Sequence, residues 1–257
     1  MNRTPPPIVQ RALRREVGFG CPIDQCSSPY LYWHHFDPPW RVRQHHDPRG
    51  MLALCAEHHA KADAGAFTKQ QLRAAKDNGR LHAAVVSGRL EWMRRQLLAI
   101  VGGNYYFESD VILRVGQMPI IWFGRDSDGY LLLNIRLLHR NGQAPFVIKD
   151  NYWFAGEHVD DVVCPPSGRI IKLIYSSGSE VRVEFIDLND YESAHQRYPM
   201  ADIASWAVPF PITAAEVQYR IAATGLDFGP DWTHLGGISI TNSYFERTAT
   251  AIQIDSV

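Results

Sequence analysis

A chain of 257 residues, 46% hydrophobic and 21% charged, can bury the core of one or two soluble domains. It contains no run of 18 or more apolar residues and no signal-peptide-like apolar stretch, so a cytoplasmic protein with no membrane partner is expected. The formal net charge of -1 hides an asymmetry: residues 1–80 hold 12 Lys and Arg against 7 Asp and Glu, a net of +5, which leaves -6 for the rest. A basic first third fits a polyanion-binding part.

After Pro5-Pro6-Pro7, the run Ile8 to Val17 reads as a helix with Ile8, Ala12 and Leu13 on one side and Arg11, Arg14 and Arg15 elsewhere. Gly18 and Gly20 stop it. Residues 21–60 are rich in Cys, His, Pro and aromatics and show little aliphatic periodicity, so a large apolar core is not expected there. A bound metal is the economical way to hold such a segment. Thr68 followed by Gln71 is a capping-box pattern that opens a helix through QQLRAAK. RLEWMRRQLLAI, Arg89 to Ile100, reads as a second helix ended by Gly102-Gly103.

Beyond Gly103 short strand-like runs alternate with turn signals. VILRV, PIIWF, YLLLNIRLL, PFVIKDNYWF, RIIKLIY and EVRVEFIDL are separated by Asp126-Ser127-Asp128-Gly129, Asn141-Gly142 and Ser177-Gly178. Thr213 to Ala223 is ambiguous between helix and strand, and the C-terminal runs again read as strand. The fold class expected is α+β: a small metal-stapled module in 1–85, a helical linker in 86–103, and a mainly antiparallel β-sandwich or roll in 104–257. Trp122, Trp153, Trp206 and Trp232 belong to the core of that second domain.

Two constellations carry chemistry. Cys21 and Cys26 form one pair (CPIDQC), and Cys55 and His58 form another (CAEH) about thirty residues later. Two such pairs match a tetrahedral structural zinc site. The histidines come as adjacent pairs. His34-His35 sits in LYWHHFDPP, a short strand entering a Pro-rich loop, and His58-His59 opens a helix on which His59 and Asp63 share a face. A strand pair facing a helix His/Asp pair can hold one divalent cation and leave an imidazole free. Metal-assisted phosphodiester hydrolysis needs that combination.

These residues resemble the HNH endonuclease family over about residues 8–77, from the RRE lead-in through CPIDQC, WHHFDP and LALCAEHH to AFTKQQLRAAK. The resemblance implies His35 as general base, His34 and His59 as ligands of the catalytic metal, and Asp63 as a third. It also implies Cys21, Cys26, Cys55 and His58 as structural zinc ligands, and a zinc-stapled ββα-metal fold for residues 1–85. One position departs. Gly50 stands where the family carries its middle asparagine, five residues before the cysteine that begins the second knuckle. A glycine carbonyl can still accept from an imidazole N–H, and His45, His46 or Asp47 are alternative substitutes.

The expectation is therefore a structural Zn2+, a catalytic divalent metal (Mg2+, Mn2+, Ni2+ or Zn2+), and a nucleic-acid partner, DNA before RNA. Arg11, Arg14 and Arg15 either contact phosphates or form an ordinary exposed helix face. His45-His46 is either a phosphate contact or a solvated pair. The second domain is a candidate for sensing, recruitment or homodimer formation, with a regulatory ligand or protein as its partner, and phage defence is an analogy at fold level. The alternative is a catalytically decayed, zinc-stabilised nucleic-acid-binding or interaction module.

Overall fold

The computed structural model describes residues 2–79, 86–138, 146–156, 158–222 and 224–255. The architecture is mixed α+β with mostly antiparallel sheets. Among the described residues no helix is long and apolar enough to cross a membrane. The chain divides into two compact units, Met1–Gly88 with Phe154–Ile171, and Arg89–Trp153 with Lys172–Val257. Phe154–Ile171 returns to the first unit, so the chain passes between units after Gly88, Trp153 and Ile171.

In the first unit, helix α1 (Pro7–Glu16) starts with proline in its first turn, where no intrahelical donor is needed, and buries Leu13 and Arg14. It stops at Gly18, whose φ of 62° suits glycine. Strands β1 (Leu31–His35) and β2 (Met51–Cys55) pair antiparallel, from Leu31 opposite Cys55 to His35 opposite Met51. Helix α2 (Ala56–Asp63) follows β2 without a loop. Helix α3 (Lys69–Asn78) carries the capping box: the Gln71 N–H donates to Thr68 Oγ1 at 3.2 Å, and the Thr68 N–H donates to Gln71 Oε1 at 2.8 Å. A substantial core exists here, contrary to the expectation. β2 is buried at all five positions, and Leu13, Leu31, Phe36, Met51, Leu52, Leu54 and Leu72 cluster together. The run MLALC has no alternation because both faces of β2 are covered, a pattern that hides a strand from periodicity.

The second unit holds two sheets. One is a meander of Val111–Val115, Met118–Arg125, Leu131–Arg136 and Phe146–Lys149, with Ile252–Ile254 added in parallel beside the first strand. In the other, Glu180–Leu188 pairs along its whole length with Ile212–Ile221, which makes Thr213 to Ile221 of the ambiguous run strand; Ala223 lies outside the described residues. The turn at Asp126 forms as expected, with its Oδ1 accepting from the N–H groups of Asp128 and Tyr130. The Asn141-Gly142 turn lies outside the described residues. Trp153 and Trp206 are buried as core residues; Trp122 and Trp232 are half-buried.

The helix expected over Arg89 to Ile100 is not formed, and neither is a helical linker: Val86–Arg89 and Leu98–Val101 are strands. Leu98–Val101 is buried at every position, paired antiparallel with Asn104–Phe107 and parallel with Ala215 to Val217. Upstream, Trp92 stacks on Phe185 with centroids 4.9 Å apart. Helical spacing in RLEWMRRQLLAI is overridden by this tertiary burial.

Candidate metal centre

Cys21 and Cys26 sit on a tight turn closed by the Cys21 N–H donating to Ser28 O at 2.9 Å and the Cys26 N–H donating to Ile23 O at 3.0 Å. Cys55 ends β2, and His58 lies in the first turn of α2, so one strand-to-helix junction delivers both. His58 Nδ1 is 3.4 Å from Cys21 Sγ and 3.3 Å from Cys55 Sγ, and Cys26 Sγ is 3.7 Å from Cys55 Sγ. All four donor atoms lie within 4.8 Å of one another. Burial pushes the Cys21 thiol up to about 12 and raises that of Cys26, so the thiolates need a cation beside them. Three thiolates and one imidazole fit a tetrahedral metal such as zinc.

A second cluster joins His34 from β1 to His59 and Asp63 from α2. His34 Nδ1 is 3.2 Å from Asp63 Oδ1, and His59 Nδ1 is 3.5 Å from Asp63 Oδ2. The first contact lacks hydrogen-bond direction, which leaves His34 Nδ1 buried and unbonded. An orphaned imidazole nitrogen beside a carboxylate and a second imidazole suits a divalent cation. Burial, and next the charge of His59, push the His34 pKa down, keeping the ring in the neutral form a metal requires.

His35 lies in the same strand, 3% exposed, with neither ring nitrogen hydrogen-bonded. Trp40 packs against it with centroids 4.6 Å apart, and His45 stands edge-on at 5.3 Å. Burial first, then the charges of His45, Arg3 and His46, lower its pKa to about 4. At neutral pH the ring is therefore uncharged, with one of its nitrogens an acceptor. His34, His35, Asp63, Arg3, Trp40 and Lys69 line a cleft of about 400 Å³.

Gly50 does not play the part considered for it. Its carbonyl accepts from the N–H groups of Phe36 at 3.0 Å and Asp37 at 3.1 Å, and not from His35. A side chain is also excluded: a Cβ on residue 50 would lie 2.0 Å from Asp37 O. His46 Nε2 lies 2.9 Å from Asn2 O, and Asp47 is engaged by Arg49.

The three arginines of α1 are occupied by carboxylates. Arg14 makes a buried two-pronged pair with Asp161 (Nε–Oδ1 2.9 Å, Nη2–Oδ2 2.6 Å), while Arg11 and Arg15 both reach Asp160. These partners come from the strand Val159–Val163, far along the chain. This corrects the exposed-face and phosphate-contact readings for Arg14 and gives Arg11 and Arg15 protein partners. The cationic residues that face the cleft are Arg3, Arg41 and Lys69. Arg3 belongs to the N-terminal lead and Trp40 to a Pro-rich loop, so neither had a periodic signal to mark it. Comparison with protein-family models, with curated proteins and with solved structures gives no match.

Proposed function

We propose that the first unit is an HNH-type, metal-dependent endonuclease module that hydrolyses phosphodiester bonds, with DNA favoured as substrate and His35 as general base. The observation that carries this reading is the convergence of His34, His59 and Asp63 as a three-donor cluster, of which His34 and Asp63 line the same cleft as the unbonded imidazole of His35. A divalent cation held by those three residues supplies Lewis-acid stabilisation of charge on a scissile phosphate. His35, neutral at physiological pH, accepts the proton of the attacking water. Arg41 lines the cleft together with Arg3 and Lys69, which pair with Asp63 at 3.8 Å and Asp37 at 3.1 Å, and this cationic rim draws in the polyanion through long-range attraction. The cysteine cluster, loaded with zinc, fixes the β2–α2 junction and with it the spacing between His59 and β1.

Incubating the full chain with supercoiled plasmid in Mg2+, Mn2+, Ni2+ or Zn2+ tests the reading. Wild type is expected to nick DNA and His35→Ala to lose at least about a hundredfold in rate, the usual worth of a general base, with bound zinc unchanged. Equal cleavage by the two proteins refutes it. A second reading, a zinc-stabilised nucleic-acid-binding module without cleavage, draws on the blocked side-chain space at Gly50. It predicts plasmid retention by wild type and His35→Ala alike, without nicks.

A further inference from the structure

A base needs more than an unprotonated nitrogen; its ring has to be held so that the nitrogen meets the water. His35 has no hydrogen bond on either nitrogen to do this. His45 is the neighbour equipped to supply the constraint. Its side chain is buried, and both of its nitrogens are committed: Nδ1 accepts from the Asp47 N–H at 3.2 Å, and Nε2 donates to Pro38 O at 2.9 Å. That pairing assigns the proton to Nε2 and fixes the ring plane. The plane stands at 88° to that of His35, edge against face, at 5.3 Å. Residue 50 is what makes room, since a Cβ there would lie 2.9 Å from His45 Cε1.

We propose that His45 is a positioning residue for His35, locking the orientation of its imidazole through a ring that is itself anchored to Pro38 and Asp47. This rests on the reading of His35 as the base. His45 touches no reacting atom. Its two hydrogen bonds hold the loop whose wall the His35 ring leans on.

The test uses the full chain as wild type, His45→Ala and His45→Gln, with two readouts. In plasmid cleavage, His45→Ala is expected to lower kcat about tenfold or more, the scale seen when residues supporting a site are removed. KM should stay within about twofold and zinc content should be unchanged. His45→Gln keeps a donor for Pro38 O and should recover most of the loss. In histidine-selective 15N NMR, wild-type His35 should show one protonated and one unprotonated nitrogen, and His45→Ala should merge them toward averaged shifts. His45→Ala with wild-type kcat overturns the proposal, and so does a loss of stability with His35 shifts unmoved. If wild type cuts no DNA, the nuclease reading falls, and the NMR alone decides: unchanged His35 shifts refute the positioning role, and averaged ones uphold it.

Discussion

Gly50→Ala and Gly50→Asn probe the tightest approach in the first unit. A Cβ on residue 50 would lie 2.0 Å from Asp37 O and 2.9 Å from both the Asp37 carbonyl carbon and His45 Cε1. Real contacts of this kind do not fall below 3.0 Å. The start of β2 and the Asp37 turn must therefore part by about 1 Å, far more than a packed interior absorbs without strain. Parting them weakens the two hydrogen bonds that Phe36 and Asp37 donate to the Gly50 carbonyl. Each is worth about 1 kcal/mol, and overpacking adds about 1–3 kcal/mol, so the cost is on the order of 3–5 kcal/mol. For a unit of about a hundred residues, each kcal/mol lowers Tm by about 4–8 °C. Differential scanning calorimetry of the zinc-loaded full chain should then show the first unit melting more than about 10 °C earlier. Gly50→Asn should be no better than Gly50→Ala, and its plasmid nicking should fall below wild type. A Gly50→Asn protein with unchanged Tm, or with faster cleavage, refutes the steric argument.

Cys26→Ser removes one thiolate from the four-donor cluster, so metal analysis should show the cluster's zinc lost, and limited proteolysis should cut residues 21–60 while sparing the second unit; full zinc retention would count against the assignment. Asp161→Ala leaves the Arg14 guanidinium buried and unpaired, at a cost of about 3–5 kcal/mol in urea unfolding, whereas replacing both partners by leucine and methionine should be far milder. Equal losses for the single and double variants would show that the pair is not the source. Thr68→Ala should cost about 1 kcal/mol through the α3 cap, read from the urea midpoint at constant slope, and Thr68→Ser should restore it.

What could be read from the sequence divides along a physical line. Ligand pairs and caps are local: CPIDQC, CAEH, the His59–Asp63 spacing and Thr68–Gln71 are set by a turn or a single helical turn, and the structure brings each of them together. Elsewhere distant chain decides. RLEWMRRQLLAI has helical spacing, but Leu98–Val101 is claimed by strands on either side. Arg11, Arg14 and Arg15 look like a phosphate-facing surface until Asp160 and Asp161 arrive from nearly 150 residues away. MLALC carries no alternation because it is covered on both faces. The part His45 plays around His35 depends on the absence of a side chain at Gly50, and an absence leaves no periodic mark.

The carboxylates on Val159–Val163 also impose an order on biosynthesis. A nascent chain that has emerged only to Gly88 carries the candidate metal ligands and α1 but not the partner of Arg14. The 73 residues from there to Asp161 take roughly 4–15 s to translate at about 5–20 residues per second. For that interval the three arginines of α1 are free cations on an unfinished surface, open to ribosomal RNA or any other polyanion nearby. The last ion pair of the first unit closes only after much of the second unit has been made. A shortened protein ending at Gly88 would remain permanently in that earlier state.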